Sequence, residues 1–329
     1  MRFLLATLAT LAVSSATAAD YKAPRLSDGT PDLQGVWTNA TQTPLERPAE
    51  LGTRRALTRE EAESIEKKAR GAVAADALPS DPNAKIEAGA LPPVGNYNLF
   101  WTDRGMTAAE IGGEYRSSII VDPPNGRIPV LANSADQRRA AARMRGESMA
   151  DGPEQRPLGE RCLLSFGSSA GPPMLPTMYN SYYQIVQSKD VVMILVEMVH
   201  DVRMVRIGGK HPPAHVRKWM GDSIGHWEGD TLVVETANFR SDQNFRGSSQ
   251  DMVVTERFTR VADDKILYNF TIRDANAFAS EFTGELPFLK TDVNIYEYAC
   301  HEGNYALPGI LAAEREKEKA EAATAAAKR

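Results

Sequence analysis

Residues 252–274 read MVVTERFTRVADDKILYNFTIRD, and their patterning decides the fold. In the second half Ile266, Tyr268, Phe270 and Ile272 alternate with Leu267, Asn269, Thr271 and Arg273. An extended chain gives this strict period of two when one face is buried and the other is wetter, because successive side chains leave a strand on opposite sides. Ala262, Asp263 and Asp264 interrupt the pattern, so residues 252–261 and 265–274 are predicted to pair as a hairpin.

The same texture recurs outward from this segment. Residues 181–187 and 191–199 flank Ser188-Lys189-Asp190, and Trp227 and residues 232–234 flank Glu228-Gly229-Asp230-Thr231. Residues 117–122 and 127–132 flank Pro123-Pro124-Asn125-Gly126, whose Asn-Gly is a strong hairpin cue. Residues 282–289 and 294–300 complete the set of strands. Short strands joined by turns, without alternating long helices, argue against a doubly wound sheet and predict a mainly β fold: an antiparallel, closed or nearly closed barrel with a few peripheral helices. Thr58 and Glu61 form a capping box that opens a helix over 60–70, and the thin apolar side of that helix (Ala62, Ile65, Ala69) puts it on the surface. Short helices are also expected over 108–116 and 137–149. Residues 311–329 are Ala, Glu and Lys with almost nothing large, a helix without a face to bury. The expected organisation is a signal peptide (1–18), an N-terminal extended segment carrying the surface helix (19–116), the barrel (117–308) and a solvated charged tail (309–329).

The chain opens on Met1-Arg2-Phe3, an apolar run over 4–13, and Ala16-Thr17-Ala18. One basic residue, a short apolar stretch and a small-residue exit are the parts of a secretory signal peptide, and they predict a periplasmic or secreted product. The apolar run is too short for a permanent span, which takes ~20 residues. Removal of Arg2 leaves 37 of the 38 basic residues against 43 acidic ones, a net charge of −6. A mildly acidic chain without a basic stripe lacks the electrostatic footprint of a nucleic-acid binder. Cys162 and Cys300 are the only cysteines. An oxidising compartment favours pairing them, and the chain-entropy argument gives about 5 kcal/mol for a loop of that length. Two buried free thiols are the alternative.

PDLQGVW (31–37), MVHD (198–201), GHWEGDTLVVET (225–236) and YEYACHEGN (296–304) together resemble a family of exported bacterial proteins without an established activity. That resemblance covers most of the chain and assigns no residue a role. Gly35-Val36-Trp37 also looks like the G-x-W that opens the first strand of lipocalins, which implies a barrel of lipocalin or calycin type; a Trp anchoring any β core is the plainer reading.

No Walker, dinucleotide, H-E-x-x-H or C-x-x-C signature occurs. Gly167-Ser168-Ser169-Ala170-Gly171 fits G-x-S-x-G, but Pro172-Pro173 bars the helix that must follow a nucleophile elbow. Four of the five histidines lie between 200 and 226. A metal held by His200, His211, His215 or His226 needs three or four ligands that only the fold can bring together, and surface histidines are the plainer reading. His200-Asp201 and His301-Glu302 each end a predicted strand, where a rigid scaffold presents groups to loops, and a His with a carboxylate is suited to acid–base work near neutral pH. Adjacent strand residues point to opposite faces, so neither dipeptide is automatically a dyad. His200, Asp201, His301 and Glu302 are therefore the candidate catalytic groups, His200 and His301 being expected to share one pocket. Tyr179, Tyr298, Arg203 and Arg257 are the candidate ligand-binding groups; any inward-pointing Arg requires a carboxylate partner or an anionic ligand. Two functions fit: a cofactor-independent lyase or hydrolase of a small molecule, or a lipocalin-like periplasmic carrier of an apolar or carbohydrate-like ligand.

Overall fold

The computed structural model describes residues 21–76, 103, 105–131, 150–165, 171–177, 179–241 and 245–327. The expected signal peptide, the helix over 137–149 and Gly167 to Ala170 of the G-x-S-x-G stretch lie outside the described residues. In chain order the elements are β1 (Gly35–Thr38), β2 (Ala56–Leu57), α1 (Arg59–Asp76), β3 (Glu110–Ile111), β4 (Glu114–Arg116), β5 (Ile120–Asp122), β6 (Tyr182–Gln187), β7 (Val191–Val196), β8 (Val202–Ile207), β9 (Asp222–Glu228), β10 (Thr231–Ala237), β11 (Val253–Ala262), β12 (Lys265–Arg273), β13 (Phe282–Lys290) and α2 (Ala306–Ala327).

Nine strands close into a barrel in the order β1-β6-β7-β8-β9-β10-β11-β12-β13, with β13 returning to β1 through Trp37↔Lys290 and Thr38↔Leu289. The predicted hairpins β6–β7, β9–β10 and β11–β12 all form. The barrel is not wholly antiparallel, because β8 and β9 run parallel, with Val205↔Ser223 and Ile207↔Gly225. Neighbours that alternate up and down close a ring only when their number is even, so a ring of nine contains a parallel pair. Parallel neighbours cannot be joined by a tight turn. Residues 208–221 therefore run back from the end of β8 to the start of β9.

The boundary expected at residue 117 is also corrected. β1 comes from the segment placed outside the barrel, yet it is the strand between β13 and β6. The apolar island around it is barrel wall: Leu33 and Trp37 are fully buried, and the Trp37 ring N–H donates to the Leu33 carbonyl at 3.0 Å. Where a helix was expected over 108–116 there is the β3–β4 hairpin, which joins β2 in a small separate sheet. Its turn holds Gly112 and Gly113 at φ 60° and 80°, left-handed backbone that ends a right-handed helix. The hairpin expected around Asn125-Gly126 does not form. β5 pairs with β13 instead, and Val130 bridges to Phe278, because the barrel supplies a larger apolar surface than the two short runs offer each other. Residues 294–300 are irregular rather than a strand. α1 begins with the expected capping box: the Thr58 N–H donates to Glu61 Oε2 at 2.8 Å and the Glu61 N–H to Thr58 Oγ1 at 3.2 Å. α2 buries none of its residues. No helix among the described residues is long and apolar enough to cross a membrane.

Cys162 and Cys300 are joined in a disulfide with their Cα atoms 5.7 Å apart. Inside the barrel, Tyr183, Phe258, Tyr268 and Phe288 pack ring on ring, with centroids 5.0–5.2 Å apart for Tyr183–Phe288, Phe258–Tyr268 and Tyr268–Phe288. Gly284 on β13 stands directly opposite Phe270 on β12, and a Cβ there would lie 2.3 Å from the Phe270 ring. Only a hydrogen fits beneath that ring. Gly284→Ala is expected to destabilise the protein by about 1–3 kcal/mol through overpacking, read as a lower urea midpoint; an unchanged midpoint contradicts this packing.

Candidate functional site

The lumen is polar at its centre but filled. Arg203 on β8 and Glu256 on β11, with side chains 1% and 0% exposed, form a two-pronged ion pair, Nη1 to Oε1 at 3.0 Å and Nη2 to Oε2 at 2.5 Å. Between them stand Ser223 on β9 and Thr236 on β10, whose hydroxyls are 2.8 Å apart and 3.5 and 3.4 Å from Arg203 Nη2. The Tyr268 hydroxyl on β12 donates to Glu256 at 2.8 Å and accepts the Met174 N–H at 2.9 Å. One polar belt thus crosses five neighbouring strands. Arg203 meets the requirement that an inward guanidinium have a carboxylate partner, and so does buried Arg116, which reaches Glu285 at 2.5 Å and Glu114 at 2.7 Å. Arg257 faces outward, where it pairs with exposed Glu228 at 2.7 Å. Glu256 was missed in the sequence although it is in phase with buried Val254 and Phe258.

The rim of the barrel at the β7–β8 connection carries groups of another kind. Val199 (φ 63°) and His200 (φ 46°) are both left-handed, an outlying conformation for a β-branched residue and a stored strain of order 1–3 kcal/mol each. This turn buries two carboxyl groups. Glu197 Oε1 accepts the Tyr296 N–H at 3.0 Å, and its Oε2 makes no hydrogen bond among the described residues. Burial raises the Glu197 pKa, opposed by Tyr296 N–H and the Asn180 side chain and assisted by the nearby charge of Asp103. Asp201 Oδ2 is likewise buried and unpartnered among the described residues. Burial pushes its carboxyl up to about 6, against the opposing pull of His200. His200 is exposed beside it.

Around this turn, Tyr182 donates its hydroxyl to Asp103 at 2.5 Å, and burial first, then Asp103, holds the phenol well above its usual range. Tyr179 and Tyr298 stack with centroids 6.3 Å apart; burial and the Tyr179 neighbour push Tyr298 up to about 12. The disulfide fixes the chain that follows, and the Asn304 side chain ties it to the Glu160 carbonyl at 2.7 Å. His301 and Glu302 sit on the exposed turn just after Cys300. Among the described residues neither His200 nor His301 makes a hydrogen bond or ion pair with the other.

The remaining histidines have separate settings. His211 lies between two carboxylates, Nδ1 3.0 Å from Asp222 and Nε2 3.3 Å from Glu235. Asp222 also receives Arg206 at 2.7 Å and Lys218 at 2.8 Å. Burial alone would raise Asp222, but hydrogen bonds from Arg206, Lys218 and His211 outweigh it and hold the carboxyl far below its usual range. This cluster pins the 208–221 crossover to the wall. His226 pairs with Glu228 at 3.1 Å on the outer face, and His215 is exposed in the crossover. Among the described residues no three His, Cys, Asp or Glu side chains are grouped to hold a metal ion. None of the known protein families, curated proteins or solved structures compared with the chain matches it.

Removing one member of the lumen pair strands a buried charge, so Arg203→Met is expected to cost about 3–5 kcal/mol in urea unfolding, with the double replacement Arg203→Met/Glu256→Leu costing less. A double variant as unstable as the single would show that packing, not charge, dominates there. For Asp201 the folded pKa lies above the unfolded value of about 3.9, so the folded state holds the proton more tightly. The stability it contributes is therefore present at low pH and lost as pH rises through about 6. Asp201→Asn should gain on the wild type between pH 4 and pH 8, a gain that parallel urea titrations read directly; a constant difference would mean the carboxyl is not desolvated.

Proposed function

We propose that this chain is an exported, cofactor-independent enzyme, a lyase or hydrolase of a small organic molecule, with its proton transfers carried out at the β7–β8 rim. The observation that carries this reading is the half-buried Asp201 carboxyl, its Oδ2 buried and without a partner among the described residues, next to exposed His200 on a strained turn. Strain and desolvated carboxyls are costly to keep and concentrate at sites of chemistry. With a carboxyl pushed up to about 6 beside an imidazole, the pair offers both a proton acceptor and a donor near neutral pH. Glu197 and the Tyr179–Tyr298 stack form the surrounding wall, and His301 and Glu302, on the turn beyond the disulfide, are further proton-transfer candidates. Export is supported by the signal-like start and by the disulfide, which persists in oxidising compartments. The carrier reading has less support, since Arg203, Glu256 and the stacked aromatics occupy the lumen that a cup would keep open.

The test is a turnover screen of the purified, signal-free protein on activated esters, lactones and β-substituted carbonyl compounds. Turnover should follow a pH profile with an inflection near that of Asp201, and Asp201→Asn or His200→Ala should lower it by ~10² to 10⁴ without unfolding the protein. Turnover that both variants leave intact, or none on any of these classes, counts against the proposal.

A further inference from the structure

On the outer face of β12 and β13 the ring leaves a gap. β5 covers β13 at Thr283 and Gly284, and β1 covers it at Leu289 and Lys290. Between them lies Pro287, which has no N–H, so a missing neighbour there strands no donor. The β3–β4 hairpin and the chain after β1 roof the gap without filling it, leaving a cavity of about 300 Å³. At roughly 30 Å³ per water-sized group this holds about ten heavy atoms. Pro287, Tyr115 and Ala109 supply apolar wall, while Lys265, Glu110 and Glu66 supply charge of both signs. Glu66 has Arg70 3.7 Å away. Lys265 and Glu110 make no ion pair or side-chain hydrogen bond with any described residue.

An unpaired ammonium and an unpaired carboxylate on one small, partly apolar cavity complement a molecule that carries one of each. We propose that this crevice binds a small zwitterion of the α-amino-acid type, its carboxylate on Lys265, its ammonium on Glu110 and its side chain against Tyr115 and Pro287. The site is separate from the β7–β8 rim and stands whether or not the rim is catalytic.

Calorimetric titration of the signal-free protein with L-leucine, isocaproate (no ammonium) and isoamylamine (no carboxylate) tests it. L-leucine should bind, each single-charge analogue at least about tenfold more weakly. Lys265→Gln should remove the advantage of L-leucine over isoamylamine, and Glu110→Gln its advantage over isocaproate, with circular dichroism unchanged. Asp201→Asn should leave L-leucine binding as it was. No L-leucine binding at about 10 mM, equal binding of the three probes, or indifference to both crevice variants overturns the proposal.

Discussion

Parity governs this barrel. A ring of nine strands cannot alternate all the way round, and the one parallel step falls between β8 and β9. A parallel step demands a long return path, and that path must be held against the wall or it would leave the small β8–β9 ladder exposed. Asp222, the first residue of β9, does this by gathering Arg206, Lys218 and His211 on one carboxylate. The lumen belt begins at the same place, with Arg203 on β8 reaching past Ser223 and Thr236 to Glu256. This short parallel pairing is thus tied from both faces, by charge outside and by charge-assisted hydrogen bonds inside.

A polar belt in the middle of an aromatic core has a consequence for where chemistry can occur. Arg203 and Glu256 pair through both guanidinium Nη atoms, while the buried Arg203 Nε has no partner among the described residues, and the rings of Tyr183, Phe258, Tyr268 and Phe288 fill the space around them. A lumen organised in this way specifies register and leaves little room for a guest. Where the wall turns over, Glu197 Oε2 and Asp201 Oδ2 are two buried carboxylate oxygens without a hydrogen bond among the described residues. The desolvation that makes such groups expensive is also what moves their protonation toward neutral pH.

Much of the wall was legible in the sequence, for a local reason. β6–β7, β9–β10 and β11–β12 are joined by short turns, so strand pattern and turn residues lie within one window of chain. Elements whose partners are distant were not legible: β1 reads as an isolated apolar island until β13 is placed beside it, and β5 reads as half of a hairpin until β13 takes it. β8 conceals its orientation, since Arg203 points in while exposed Val202 and Met204 point out, which reverses the usual polarity of a strand. At the rim, the sequence located His200-Asp201, but the desolvation of Asp201 arises from residues packed around the turn and from backbone dihedrals that no residue pattern encodes. Asp103, hydrogen-bonded to Tyr182, belongs to a stretch without any strand or helix signal of its own.

The seam between β1 and β13 has one further implication. It consists of two residue pairs, and it joins the first strand of the barrel to the last one made. On a chain that emerges N-terminus first, eight strands can be present while the ninth has yet to appear, and throughout that interval β1 lacks one of its two partners. The barrel is therefore unable to mature step by step behind the growing end. Its closure waits for the final strand, and the thin joint where closure happens is the place where a completed molecule would first come undone.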